Sequence, residues 1–248
     1  YWMLKKGVAR ETQAVSPHIA LFLFIKSTEY LVNPVSSIQN RGSRMPRIDD
    51  YKTAKKLAIE KLVNESFDTI IQRTGFESVA DDQFRVFFLN RIYRICFPEF
   101  TFEDETDSQK EVPIQEQILI LHYMLSSAPT PLADNWISYR EIPGASFYYS
   151  SFVKRAIDPL KKVFGQNMDD FIRAGDIIGG KAIDTGDVGY EFRLFPNISI
   201  RLILWAGDEE FPAEANVVFD ENIGSMLSPE DIAWLAGMLV YRLIALSR

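Results

Sequence analysis

The chain has 248 residues, 47% hydrophobic and 13% aromatic, and a formal net charge of −7 at neutral pH. That length and composition suffice for one sizeable core, and the acidic balance argues against a broad nucleic-acid interface, which needs clustered lysine and arginine. The single cysteine, Cys96, excludes an intrachain disulfide and an all-cysteine metal site within one chain, and it is typical of a protein of the reducing cytoplasm.

The first 44 residues differ from the rest of the chain in charge. They contain six basic and two acidic residues, a net charge of +4, which leaves −11 for residues 45–248. Their apolar run at residues 19–25 is shorter than the roughly 20 residues that a membrane span needs. We therefore expect residues 1–44 to be a basic leader or extension outside the core, and residues 45–248 to form a single domain.

The first predicted elements are a helix and a hairpin. Apolar residues at helical spacing, with Asp49 and Asp50 as caps, predict a helix over residues 49–73 that Gly75 ends. Alternating apolar and polar residues then predict strands at 84–89 and 92–97, joined by a two-residue turn. In this register the apolar face pairs Phe84 with Phe97, Val86 with Ile95, and Phe88 with Tyr93.

The central part of the chain predicts helices. A helix over residues 113–127 is apolar on most sides and carries His122. Because His122 lies among the apolar residues of this helix, we interpret it as a satisfied core histidine, with a role as ligand or base as the alternative. A further helix is predicted over 146–157, and a second one starts at Asp158-Pro159.

The last part of the chain predicts a second hairpin and a final helix. Residues 190–194 and 199–204 alternate apolar and polar side chains, as two strands with one shared apolar face do. Ser228-Pro229 begins a helix with two apolar faces, which indicates a central helix or one shared with a protein partner. Together these elements predict an α+β fold, in which antiparallel hairpins pack with several helices and the C-terminal helix is buried.

An acidic turn is the first candidate site. An apolar strand runs into Asp208, Glu209 and Glu210, three adjacent carboxylates that repel one another unless water, a cation or an arginine compensates them. We expect one of them to pair with an arginine, Arg155 or Arg140 being the first choices. Another should face a cleft that the turn shares with aromatic residues.

An aromatic block that begins at Trp136 is the second candidate region. Tyr139 and Arg140 follow it, and Arg155 lies beyond further aromatic residues. Rings and two arginines can clamp a planar anionic ligand by stacking and bidentate hydrogen bonds. The alternative is a core edge in which Arg155 neutralises the acidic turn. Asp220 and the acidic turn could also supply oxygen ligands to a divalent cation, but their spacing matches no calcium loop, so we predict cap and salt-bridge roles and no metal site.

Four blocks of the chain carry a family resemblance, at residues 117–123, 135–141, 152–165 and 204–221. In this order they resemble a domain of unknown function, number 3786, of anaerobic bacteria and archaea, from about residue 45 to the end. Some members of that family join the domain to a cysteine-rich iron–sulfur segment, so the resemblance implies a redox or cofactor setting. It carries over no catalytic residue, and one cysteine leaves no iron–sulfur segment here.

The function expected from the sequence is that of a cytoplasmic binding or accessory protein, without a nucleic-acid or membrane partner and with an unidentified cofactor or small anionic or planar ligand. One alternative is a divalent-metal-dependent hydrolase or transferase that uses the carboxylates with His122. The other is a structural subunit whose C-terminal helix packs on another chain. The candidate ligand-binding residues are Trp136, Tyr139, Arg140, Arg155, Asp208, Glu209, Glu210 and Asp220.

Overall fold

A computed structural model describes residues 48–127 and 130–248 of the chain. The leader expected over residues 1–44 lies outside the described residues. Within these two stretches, no helix is both long and apolar enough to cross a membrane.

Two helices open the described chain, α1 at Ile48–Leu62 and α2 at Phe67–Thr74. The prediction of one continuous helix is wrong at Ser66. The Ser66 hydroxyl accepts a hydrogen bond from the backbone N–H of Thr69, so it caps a new helix after a short turn. Gly75 ends α2 as predicted, in the left-handed conformation with a φ of 69°, which glycine adopts without strain.

The first sheet is a four-stranded antiparallel meander of β1 (Glu77–Ala80), β2 (Gln83–Phe88), β3 (Arg91–Cys96) and β4 (Thr101–Asp104). Its β2–β3 turn comes one residue earlier than predicted, because Leu89 takes a positive φ of 56° and forms the turn with Asn90. The predicted pairs are therefore wrong: Phe84 lies opposite Ile95, and Val86 lies opposite Tyr93. The predicted apolar face nevertheless forms, because each strand keeps its own alternation; its buried members are Phe84, Val86, Phe88, Tyr93 and Ile95.

The central helices are α3 (Ile114–Met124), α4 (Tyr149–Phe152), α5 (Asp158–Phe164) and α6 (Met168–Ile178). Most side chains of α3 are buried, as predicted. The continuous helix expected over residues 146–157 is interrupted: α4 ends in a single π-helical turn, Val153–Ile157, which leads directly into α5. A π-helical turn widens the helix locally and is frequent at functional sites.

The second sheet has five antiparallel strands in the order β5-β9-β8-β7-β6. Their bounds are Trp136–Ser138, Lys181–Ile183, Val188–Phe195, Ile198–Trp205 and Glu214–Asp220 for β5 to β9. In the β7–β8 hairpin Tyr190 lies opposite Leu202 and Phe192 lies opposite Ile200, which confirms the predicted apolar face.

The chain closes with the short helix α7 (Ile223–Met226) and the long helix α8 (Pro229–Leu246). The side chain of Ser228 caps α8 by accepting the backbone N–H of Asp231 at 3.2 Å. The apolar stripes of α8 are buried against this chain's own elements, except for the half-buried Tyr241, so α8 is the central helix of the two alternatives. Two antiparallel sheets packed with helices confirm the α+β fold.

Candidate functional site

The acidic turn is exposed and satisfies its own backbone. The Asp208 carboxylate accepts the N–H groups of Phe211 and Glu210 at 2.7 and 2.8 Å, and these bonds hold the pKa of Asp208 below its usual value. The turn packs beside Gln166, just beyond α5. No arginine of the described chain pairs with its three carboxylates, so the expected Arg155 or Arg140 partner is wrong.

Trp136 and Asp220 do lie together, as opposite residues of β5 and β9. The Trp136 ring stacks on the guanidinium of Arg201, whose Cζ is 3.7 Å from the ring centroid. Asp220 is buried, and its carboxylate accepts the backbone N–H groups of Ala133 and Asp134. Asp220 therefore anchors the loop that enters β5.

Tyr139 and Arg140 point to opposite sides of the turn after β5. Tyr139 is buried, stacks on Phe152 with 4.3 Å between ring centroids, and donates its hydroxyl to the carbonyl of Pro229 at 2.6 Å. Arg140 is exposed and covers the ring of Tyr149, with its Cζ 3.8 Å from the centroid. The two arginines of the expected clamp are thus separated, since Arg155 lies inside the fold.

Arg155 has the most unusual environment of the candidate residues. It lies in the π-helical turn and is 7% exposed. Neither Nη1 nor Nη2 has a hydrogen-bond partner in the part of the chain that the structure describes. Burial lowers the pKa of Arg155 to about 10, although the nearby Tyr51, Glu230 and Tyr241 oppose this effect. A buried guanidinium without an acceptor is energetically unfavourable, so an acceptor at this position would stabilise it.

One face of α8 forms the wall beside Arg155. The absence of a side chain at Gly237 lets the two elements approach, because a Cβ there would lie 3.3 Å from the Cβ of Arg155. One turn earlier, Trp234 is buried and stacks on Tyr51 with 5.9 Å between ring centroids. The indole Nε1 of Trp234 also lacks an acceptor within residues 48–127 and 130–248. Three buried N–H-bearing nitrogens are therefore unsatisfied in this region.

Glu230 brings a carboxyl group to the same face of α8. Burial and then the charge of Asp231 raise the pKa of Glu230, while Tyr148, Arg155 and His122 oppose this rise. Tyr148 lies close to Glu230, and burial together with the Glu230 charge raises the pKa of Tyr148 to about 12. Both side chains are only half-buried, so the group reaches the surface at this edge. We call Tyr51, Tyr148, Arg155, Glu230 and Trp234 the Arg155 cluster.

His122 borders the Arg155 cluster and is satisfied by Asp231. Its Nδ1 lies 2.9 Å from Oδ1 of Asp231, whose Oδ2 accepts the hydroxyl of Ser228 at 2.7 Å. Burial lowers the pKa of His122, but the hydrogen bond and the charges of Asp231 and Glu230 outweigh it and raise the pKa above the usual value. The expected link between His122 and the acidic turn does not form.

Sequence reasoning selected Arg155 but missed the other members of its cluster. Glu230, Trp234, Gly237 and Tyr241 recur at steps of four, three and four residues, which places them on one face of a helix. The polar groups of Glu230, Trp234 and Tyr241 on one face of an otherwise apolar helix were the pattern that could have indicated this site. What the sequence could not provide was the packing of this stripe on the π-helical turn.

Groups of three or more histidine, cysteine, aspartate or glutamate side chains that could hold a metal ion are not found among the described residues. The Arg155 cluster is instead rich in N–H donors. Its chemistry suits an anionic group, since a carboxylate or phosphate offers several acceptor atoms to one guanidinium.

Comparisons with known proteins identify a family. Neither the curated proteins nor the solved structures contain a match to this chain. A family described as a domain of unknown function (DUF3786) matches residues 66–242, which is more than two thirds of the 248 residues. The matched region includes Arg155, Glu230 and Trp234. The chain therefore belongs to the DUF3786 family.

Proposed function

We propose that this protein binds a small organic anion, and that Arg155 is its anchor. The observation that carries the proposal is the buried guanidinium whose Nη1 and Nη2 have no acceptor in the described stretches. Buried polar groups in folded proteins are normally hydrogen-bonded, and an unpaired buried charge is the costliest exception. A ligand carboxylate or phosphate would supply the acceptors.

The other sheltered arginines of the chain support this interpretation. Apart from Arg155, four arginines of the described residues have side chains that are less than a quarter exposed, and each has an acidic partner. The pairs are Arg73 with Glu65, Arg91 with Asp104, Arg201 with Glu191, and Arg242 with Glu116. Arg155 is the exception within this set. The fold thus satisfies sheltered arginines internally where it can, which favours an external acceptor for Arg155.

The surroundings of Arg155 favour a ligand with an apolar part. Trp234, one helical turn before Gly237 on α8, adds a third unsatisfied nitrogen, and its ring is stacked on Tyr51. Carboxylates bind arginine through two parallel hydrogen bonds, and ring faces accept apolar groups. We propose an accessory, ligand-binding role in anaerobic metabolism rather than a nucleic-acid or membrane role. We place it in the cytoplasm, because a single cysteine suits a reducing compartment.

Thermal unfolding with a series of aliphatic and aromatic carboxylates tests the proposal. At a concentration 100 times its Kd, a ligand stabilises the folded state by about 2.7 kcal/mol. For a chain of this size, that corresponds to a rise in Tm of roughly 5–11 °C. We expect such a rise for at least one carboxylate with the wild-type protein and its loss in Arg155→Met.

The matched control is Arg140→Met, because Arg140 is exposed and lies over Tyr149 rather than in the Arg155 cluster. This variant should bind the same carboxylate as tightly as the wild type. Equal binding by wild type and Arg155→Met would overturn the proposal. Loss of binding in Arg140→Met alone would move the site to the exposed aromatic block.

A further inference from the structure

The charges beside Arg155 narrow the class of ligand. Glu230 is close enough for Arg155 to lower its pKa, yet the two side chains form no salt bridge. Glu230 lies one helical turn before Trp234, on the face of α8 that packs on Arg155. The cluster therefore presents a cationic and an anionic group within electrostatic range of each other that form no salt bridge.

The neighbouring carboxylate, Asp231, already has hydrogen-bond partners within the chain. Both of its oxygens have partners, His122 Nδ1 on one and the Ser228 hydroxyl on the other. Glu230, by contrast, forms no salt bridge with the described cations, and among its neighbours only Tyr148 affects its pKa through hydrogen bonding. A carboxylate has acceptor capacity for about four hydrogen bonds, so Glu230 can take further donors.

The Arg155 guanidinium favours a negative charge in the ligand, and the Glu230 carboxylate favours a positive one. A dianionic phosphate would satisfy Arg155 but would be repelled by Glu230, and a plain carboxylate would leave Glu230 unmatched. A molecule with a carboxylate and an ammonium group would satisfy both. We propose that the ligand is a zwitterion of the amino-acid class, with its carboxylate on Arg155 and Trp234 Nε1 and its ammonium group on Glu230. This inference rests on the proposed anion-binding function and specifies its ligand.

Titration calorimetry with matched probes tests the inference. One set is L-phenylalanine, 3-phenylpropionate and 2-phenylethylamine; the other is L-alanine, propionate and ethylamine. In each set the second probe lacks the ammonium group and the third lacks the carboxylate. With the wild-type protein, the zwitterion of the better-fitting set should bind at least about tenfold more tightly than its carboxylate, because a hydrogen-bonded charge is added.

The Glu230→Gln variant separates this inference from the proposed function. It should bind the zwitterion and the carboxylate within about twofold of each other, whereas Arg155→Met should bind neither. Glu209→Gln is the matched control, because Glu209 is exposed in the acidic turn, and it should behave like the wild type. Melting curves of each variant show whether it is folded, and Tyr148→Phe provides a second, milder change at Glu230.

Each outcome decides between the two proposals. A carboxylate that binds as tightly as its zwitterion, with loss of both in Arg155→Met, would overturn the zwitterion inference and leave the anion site standing. An unchanged preference for the zwitterion in Glu230→Gln would also overturn it. If no zwitterion and no carboxylate binds the wild-type protein, both the inference and the proposed function are wrong.

Discussion

Replacing Arg155 with methionine should stabilise the ligand-free protein. The guanidinium is buried, its Nη1 and Nη2 lack acceptors in residues 48–127 and 130–248, and burial lowers its pKa to about 10. Set against a usual pKa of 12.5, this lowering corresponds to roughly 3 kcal/mol of unfavourable burial. Methionine keeps an unbranched stem against Gly237 and removes the charge.

We expect Arg155→Met to increase the free energy of unfolding by about 1–3 kcal/mol, since part of the gain is lost to imperfect packing. Urea denaturation measures this directly, and the corresponding rise in Tm is about 2–4 °C per kcal/mol. Both proteins should be unfolded, dialysed and refolded first, so that no copurified anion stabilises the wild type.

A loss of stability of about 3 kcal/mol or more in Arg155→Met would show that Arg155 is paired inside the folded chain. Arg140→Met is the control for removing an arginine as such. Its guanidinium is exposed over the Tyr149 ring, so the change should cost no more than about 1 kcal/mol.

Three further substitutions test other parts of the structure. Arg242→Met should destabilise the protein by about 2–4 kcal/mol in urea denaturation, the opposite sign to Arg155→Met, because it leaves the buried Glu116 without its cation; unchanged stability would contradict the pairing. His122→Gln should cost about 1–3 kcal/mol at pH 6. Since Asp231 and other charges raise the folded pKa of His122 above 6.5, that cost should be full below pH 6.5 and shrink as pH rises through the folded pKa; a cost that does not change between pH 6 and pH 9 would be inconsistent with this. Asp208→Ala should cost less than about 1 kcal/mol and leave carboxylate binding unchanged, because water can replace its backbone contacts, and lost binding would restore the acidic turn as the site.

Local patterns in the sequence predicted most of the fold. The alternation of apolar and polar residues over 190–204 correctly predicted the apolar face of the β7–β8 hairpin, and the two apolar stripes of α8 predicted a buried helix. The errors came from single residues. Ser66 splits the first helix by capping α2, and Leu89 adopts a backbone conformation that turn rules assign to glycine or asparagine.

The candidate site was harder to predict because its members are distant in sequence. The sequence indicated Arg155 as an anion-binding residue, and its predicted partner was the acidic turn because that turn has three adjacent carboxylates. These carboxylates are exposed, whereas Arg155 is buried. Its actual neighbours come from α1 and α8, through Tyr51 and Glu230. Charge alone could not show whether Arg155 lies beside the acidic turn or beside Glu230 of α8. That depends on how the π-helical turn packs on Gly237.

A crystal structure of the wild-type protein soaked with 3-phenylpropionate tests directly whether Arg155 binds an external anion. Both carboxylate oxygens should lie within about 3 Å of Nη1 and Nη2 of Arg155, as in a bidentate pair. An Arg155 guanidinium hydrogen-bonded instead to an acceptor of its own chain, with no ligand beside it, would show that Arg155 is not an anion-binding residue.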